Sequence, residues 1–281
     1  IVTGVQTCAL PILYTGSLSL VTALDAETSG ERILKADFSD FNVPGEYVLS
    51  VADASIADSP PFEIALDVYD PLLVDTMRYF YLQRAGIELQ ATHAGAFARP
   101  VGHPQDTAAL FRSGTFPARD VSGGWYDAGD YGKYVNAGAT AISDLLWAYE
   151  MFPDQFPDNH LNIPESSNGI SDLLDEVRWE LDWIMRMQDP TSGGFYHMVQ
   201  PTDQASPHNA NSPRYIEDQL GGTGNVMPTS TSASAVAALA HAAYVFGPID
   251  AAYAAQLQSA AELGYTYLEN NPGLVPSVRS E

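Results

Sequence analysis

Two aspartates three residues apart, Asp127 and Asp130, are the side chains of this sequence best suited to do chemistry. They lie in the string Gly123-Gly124-Trp125-Tyr126-Asp127-Ala128-Gly129-Asp130-Tyr131-Gly132-Lys133-Tyr134. The Ala128-Gly129 spacer is small and turn-prone, so both carboxylates can point into one cleft. Aromatic rings flank both acids. A pyranose has an apolar C–H face and polar edges, which suits rings set beside carboxylates. Such acids can orient and deprotonate a water while the rings hold a sugar. The same short pattern also occurs in surface turns, where aspartates only cap or bond backbone.

Trp125, Tyr126 and Tyr131 are the candidate sugar-stacking or cleft-shaping residues. Packing around the turn is the equal alternative for Tyr126 and Tyr131. His197, which follows Gly193-Gly194-Phe195-Tyr196, could hydrogen-bond a sugar hydroxyl, although a lone loop histidine is more often simply solvated. Inverting glycoside hydrolysis needs a base and an opposing acid ~6.5–9.5 Å apart. Asp127 and Asp130 are too close in sequence to oppose each other across a substrate, so they read as two grips on the same water.

The elements that must position this turn are mainly helical. Asp70-Pro71 opens the first helix, with Asp70 as cap and Pro71 in the first turn, and Leu73, Met77, Phe80 and Tyr81 share a face. A second helix is expected from Tyr131 to Phe152, striped by Val135, Ala139, Ile142, Leu146 and Tyr149 and stopped by Pro153. Ser171 starts a third, with Asp172, Asp175 and Glu176 favouring the positive end of its dipole and Leu173, Val177, Leu181 and Ile184 on one side. Residues 229–246 and 250–270 are two more. Between the third and fourth lies a polar stretch, about 189–228, which is either a cleft-lining loop or a surface excursion. Ahead of residue 70 the period is that of strands. Residues 17–24, 32–38, 47–51 and 62–68 fit short strands of a small β-sandwich.

Composition limits the function. The chain has 281 residues, 46% hydrophobic, and a formal net charge of -23. That acidity opposes binding to nucleic acid or to an anionic membrane, since both recruit basic patches. No apolar run is long enough to span a bilayer. Cys8 is the single cysteine, which leaves neither an intrachain disulfide nor a CxxC-type zinc site. Residues 1–12 lack an initiator methionine and the basic start of a signal peptide, and read as a leader outside the fold.

The acid-bearing string resembles the signature of glycoside hydrolase family 9, a family of inverting cellulases and related β-glucanases. Four further segments are similar to that family and fall in its order: Tyr79-Phe80-Tyr81-Leu82-Gln83-Arg84-Ala85-Gly86-Ile87, Asn168-Gly169-Ile170-Ser171-Asp172-Leu173-Leu174-Asp175-Glu176-Val177-Arg178-Trp179 with Met187-Gln188, Gly193-Gly194-Phe195-Tyr196-His197, and Thr229-Ser230-Thr231-Ser232-Ala233. The phrase Asp37-Phe38-Ser39 followed by Gly45-Glu46-Tyr47 resembles the immunoglobulin-like domain that precedes many of its catalytic domains.

The resemblance implies a mainly α fold, a partial (α/α)6 toroid over 70–281, preceded by an incomplete immunoglobulin-like β-sandwich over 13–69. It implies Asp130 as catalytic base, Asp127 as its helper, and a secreted enzyme acting on β-1,4-glucan, in a parent protein that can carry further modules. The family's general acid is a distal glutamate. Glu165, Glu176, Glu217, Glu262 and Glu269 lie in no matching motif, so the acid is expected beyond Glu281 and the isolated chain is expected to be nearly inactive on β-glucan. The family's structural zinc site maps to Ala85, Gly102, His103 and Tyr126. Only His103 is a usual ligand, so no zinc is expected, and calcium belongs only to the distal region. An exo-acting cello- or chito-oligosaccharide glycosidase and a non-catalytic carbohydrate-binding module are the alternative functions.

Overall fold

A computed structural model describes residues 4–6, 12–21, 30, 33–53, 55–201, 211–219 and 227–275. The chain divides into two compact units, Ile1–Leu73 and Val74–Glu281.

The first unit is built of strands: β1 (Gly4–Gln6), β2 (Ile12–Thr15), β3 (Leu18–Val21), β4 (Ile33–Ala36), β5 (Gly45–Leu49) and β6 (Phe62–Ile64). One antiparallel sheet has the order β2-β1-β5-β6, and β3 pairs with β4 in a separate hairpin. β1 falls inside the stretch 1–12 that the sequence reading sets apart from the fold. Aromatic rings centre this unit. Tyr47 is buried, meets Phe41 edge-on at 5.1 Å, and donates its hydroxyl to the Val43 carbonyl at 3.0 Å. The strand expected to run to Val68 stops at Ile64. The backbone turns before the next helix, with the Asp70 N–H donating to the Asp67 carbonyl.

The second unit is helical. α1 spans Asp70–Gln83 across the division between units, and α2 is a single turn at Ala91–Ala94. The long helices α3 (Val135–Met151), α4 (Asp172–Arg186), α5 (Thr229–Phe246) and α6 (Ala251–Asn270) follow. α5 and α6 form a hairpin, and α3 packs beside both α4 and α5. Asp250 caps α6 by accepting from the Tyr253 N–H. Small residues Ala235, Ala238 and Ala242 are buried along α5, which lets neighbouring helices approach closely.

Two sequence expectations are corrected here, and a third gains a feature. The helix expected from Tyr131 begins at Val135, because Lys133–Tyr134 form strand β8 and the Val135 N–H donates to the His197 carbonyl at 3.0 Å. The polar stretch after Asp189 is not only loop. It contributes β9 (Met198–Pro201) and β10 (Arg214–Ile216), which join β7 (Leu110–Phe111) and β8 in a sheet of order β7-β10-β9-β8. The acids opening α4 stand at its start as expected, and they are also buried. Asp172 accepts from the backbone N–H groups of Asn159, His160 and Leu161, and Glu176 pairs with Arg84 at 2.8 Å. Burial of those carboxylates is tolerable because each meets charged or hydrogen-bonding partners.

Candidate active site

The acid-bearing turn is pinned before it begins. Gly124 has φ +73°, and a Cβ there would lie 2.6 Å from the Trp183 ring on α4. Only glycine satisfies both the left-handed backbone and that approach. The Gly124 carbonyl accepts from the Ala85 N–H at 2.8 Å, and the Tyr126 N–H donates to the Gln83 carbonyl at 2.9 Å. The Trp125 N–H donates to Glu180 Oε2 at 2.6 Å. Residues 124–126 are thereby clamped between the end of α1 and the middle of α4.

The turn itself is closed by its own backbone. Asp127 N–H donates to the Gly132 carbonyl and Tyr131 N–H to the Ala128 carbonyl, both at 2.9 Å. Tyr131 takes φ +60°, an unusual value for a ring-bearing residue. Asp130 Oδ1 accepts from the Gly132 N–H at 2.9 Å, and Oδ2 from the Tyr134 hydroxyl at 3.3 Å. Asp127 is exposed and Asp130 half-buried. Burial first, then the charges of Asp130 and Asp127, pushes the Tyr134 phenol up to about 12, so it stays a donor at working pH. The charges of both carboxylates thus reach the Tyr134 phenol, and Asp130 is the one hydrogen-bonded to it.

Behind the turn lies a fully buried ionic cluster. Lys133 Nζ pairs with Asp106 Oδ2 at 3.0 Å and donates to the Val121 and Gly123 carbonyls at 2.6 and 2.8 Å. Arg214 on β10 also grips Asp106, and donates to the carbonyl of Tyr131. The cluster ties the turn to β10, more than eighty residues along the chain.

The aromatic candidates occupy different positions. Trp125 and Tyr126 are buried, and Trp125 packs against Phe80 at 4.8 Å. The Tyr126 hydroxyl bonds His103 Nδ1 at 2.7 Å, and Tyr131 is half-buried with its ring edge-on to Tyr126. Both Trp125 and Tyr126 border a cleft of about 130 Å³ that Asp127, Tyr134, Gly138 and Glu180 also line. Tyr79, 54% exposed, is an open ring on its rim. His197 is half-buried. Its Nδ1 lies 2.9 Å from Thr231 Oγ1 and its ring is edge-on to Tyr134 at 6.3 Å. The structure thus places His197 one ring away from Asp130.

Of the glutamates weighed as acid, Glu165 and Glu176 hold Arg84, and Glu217 accepts from Arg112 and Gln200. Glu262 accepts from Gln258, and Glu269 is exposed near the end of α6. Glu180 was not singled out from the sequence. It lies in the floor of the cleft, and burial pushes its carboxyl up to about 8, opposed by the Trp125 N–H and by Lys133. Its signal was present: Glu176 and Glu180 have the spacing of the apolar stripe of α4, where a carboxylate needs a partner. Tyr134 also went unassigned although it stands in the signature string.

The positions expected to have lost zinc lie near one another. The Gly86 N–H donates to the Gly102 carbonyl, and His103 bonds Tyr126. Ala85 and Gly102 carry no side-chain donor, so these residues do not fit a four-ligand zinc site. Among the described residues, no three His, Cys, Asp or Glu side chains gather as a metal site.

Residues 69–280 match the model of glycosyl hydrolase family 9. The chain belongs to that family. It is 36% identical over 272 residues to Endoglucanase D of Acetivibrio thermocellus, covering 94% of this chain and 41% of that protein. It is 38% identical over 187 residues to the xyloglucan-specific endo-beta-1,4-glucanase BoGH9A of Bacteroides ovatus, covering 64% of this chain and 31% of the relative. The solved structure of the family 9 endoglucanase J30 superposes with a TM-score of 0.83 at 34% identity, covering 97% of this chain and 50% of that one. The chain thus spans half or less of the length of these relatives. Its helices form part of the (α/α)6 toroid of family 9.

Proposed function

We propose that the protein to which this chain belongs hydrolyses β-1,4-glucosidic bonds with inversion, with Asp130 as base and Asp127 as its helper. The observation that carries this reading is the hydrogen bonding of Asp130, whose oxygens accept from the Gly132 N–H and the Tyr134 hydroxyl. Those donors fix the carboxylate's orientation, and each oxygen keeps a further lone pair for water. A base must be held in place before it can take a proton from an attacking water. The names of relatives, an endoglucanase and a xyloglucan-specific endo-β-1,4-glucanase among them, support a β-glucan substrate. A polymeric glucan does not enter a cell, which supports a secreted protein. We assign the proton for the leaving oxygen to a group outside the described residues, the N-terminal strands to an immunoglobulin-like domain, and no metal to this chain.

β-Cellobiosyl fluoride tests the base alone. In this substrate water oxygen bonds C1 as the C1–F bond breaks, fluoride leaves without needing a proton, and the water proton passes to Asp130. The chain is expected to release fluoride and to form the α-anomer first, as read by NMR. Asp130→Ala should lose at least ~100-fold, the typical contribution of a general base. Initial formation of the β-anomer, or near-full activity in Asp130→Ala, defeats the reading.

A further inference from the structure

The histidine beside the acid turn is held by a threonine hydroxyl that is itself bonded to an asparagine. His197 ends the segment before β9, Asn136 is the second residue of α3, and Thr231 is the third of α5. Thr231 is fully buried. Its hydroxyl donates to Asn136 Oδ1 at 2.6 Å, and lies 2.9 Å from His197 Nδ1. A hydroxyl has one proton and two acceptor positions. With that proton directed to Asn136, Thr231 can only accept from the histidine. Nδ1 must then carry the ring proton.

We propose that Asn136 and Thr231 are positioning residues that hold His197 as its Nδ1–H tautomer and so present Nε2 as a hydrogen-bond acceptor for a sugar hydroxyl. A neutral imidazole has one N–H, so protonation at Nδ1 leaves a lone pair on Nε2. Burial lowers the His197 pKa, with the Glu217 charge opposing, which favours the neutral ring. Glu217 is itself occupied by Arg112, Gln200 and the Gln219 N–H. An acceptor nitrogen complements a hydroxyl proton, whereas an N–H there could meet only a hydroxyl oxygen. The relay thereby fixes the direction of the hydrogen bond between site and sugar. The ligand half of this inference rests on the carbohydrate reading above. The tautomer half does not.

Long-range proton–nitrogen NMR of the whole chain, labelled at histidine and assigned with His197→Gln, reads the tautomer without any sugar. The expected spectrum has His197 Nδ1 in the protonated range and Nε2 in the unprotonated range. Thr231→Val removes the acceptor and should shift the ring towards the Nε2–H form that a free imidazole prefers. Asn136→Asp can only accept, so it should keep the wild-type tautomer. A wild-type Nε2–H ring, an unchanged spectrum in Thr231→Val, or inversion by Asn136→Asp overturns the relay. If Thr231→Val does not fold, the wild-type and Asn136→Asp spectra decide. Added cellotriose should then move the Nε2 resonance upfield. The stated tautomer with an unresponsive Nε2 overturns the sugar contact alone, and the relay stands.

Discussion

Substituting Gly138 by alanine should change sign with its neighbour. Gly138 lies inside α3, where alanine is ordinarily favoured by about 1 kcal/mol. Here a Cβ would fall 2.1 Å from Glu180 Oε1 and 3.0 Å from its carboxyl carbon. Oε1 ends a flexible side chain, which in an open site could swing aside at little cost. Glu180 is instead 1% exposed and accepts from the Trp125 N–H at 2.6 Å. Moving the carboxylate leaves that N–H without its acceptor, a loss of about 1–3 kcal/mol. Overpacking adds about 1–3 kcal/mol. Set against the helix gain, Gly138→Ala should destabilise by about 1–5 kcal/mol. In a Glu180→Ala background there is no carboxylate to strike, and the same change should stabilise by about 0.5–1 kcal/mol. Urea unfolding of the four variants measures both values, provided the m-value is constant. Equal effects of Gly138→Ala in the two backgrounds would refute the close packing of α3 on α4 at the floor of the cleft.

The remaining expectations concern the buried charges. The Glu180 carboxyl is raised from 4.5 to about 8 by burial, so the folded state holds its proton more tightly than the unfolded chain. Its contribution is therefore complete below pH ~4.5 and is lost as pH rises to about 8, at up to ~1.4 kcal/mol per pH unit. Glu180→Gln should flatten that decline in urea midpoints measured between pH 5 and pH 8, whereas parallel profiles would remove the assignment. Lys133→Met leaves Asp106 with one cation and frees the Val121 and Gly123 carbonyls. It should destabilise by about 3–5 kcal/mol, and a loss under 1 kcal/mol would show that the cluster does not hold the turn.

The acid turn was legible because its determinants are local. Asp127, Asp130, the small spacer and Gly132 lie within six residues, and the backbone bonds that close the turn join the same residues. The helices were legible for the same reason: period, cap and breaker are adjacent in sequence, as with Asp250 before α6. The start of α3 was misplaced because Lys133 and Tyr134 pair with Val199 and Met198, a partner strand that local pattern does not announce. β9 and β10 were equally hidden, being short segments inside a polar stretch whose ladder bonds come from each other, from β7 and from β8.

What the sequence determined by itself is the helical period of the second unit, the strand period of the first, and a turn able to carry two acids on one side. Only the tertiary structure decided which groups steady those acids. Tyr134 reaches Asp130 because β8 directs it there, Arg214 reaches the Tyr131 carbonyl across eighty-three residues, and Glu180 becomes the floor of the cleft because α3 offers a glycine opposite it. The physical reason is range. Dihedral preference and hydrophobic period act between neighbours, while desolvation and ion pairing depend on which distant segments exclude water together.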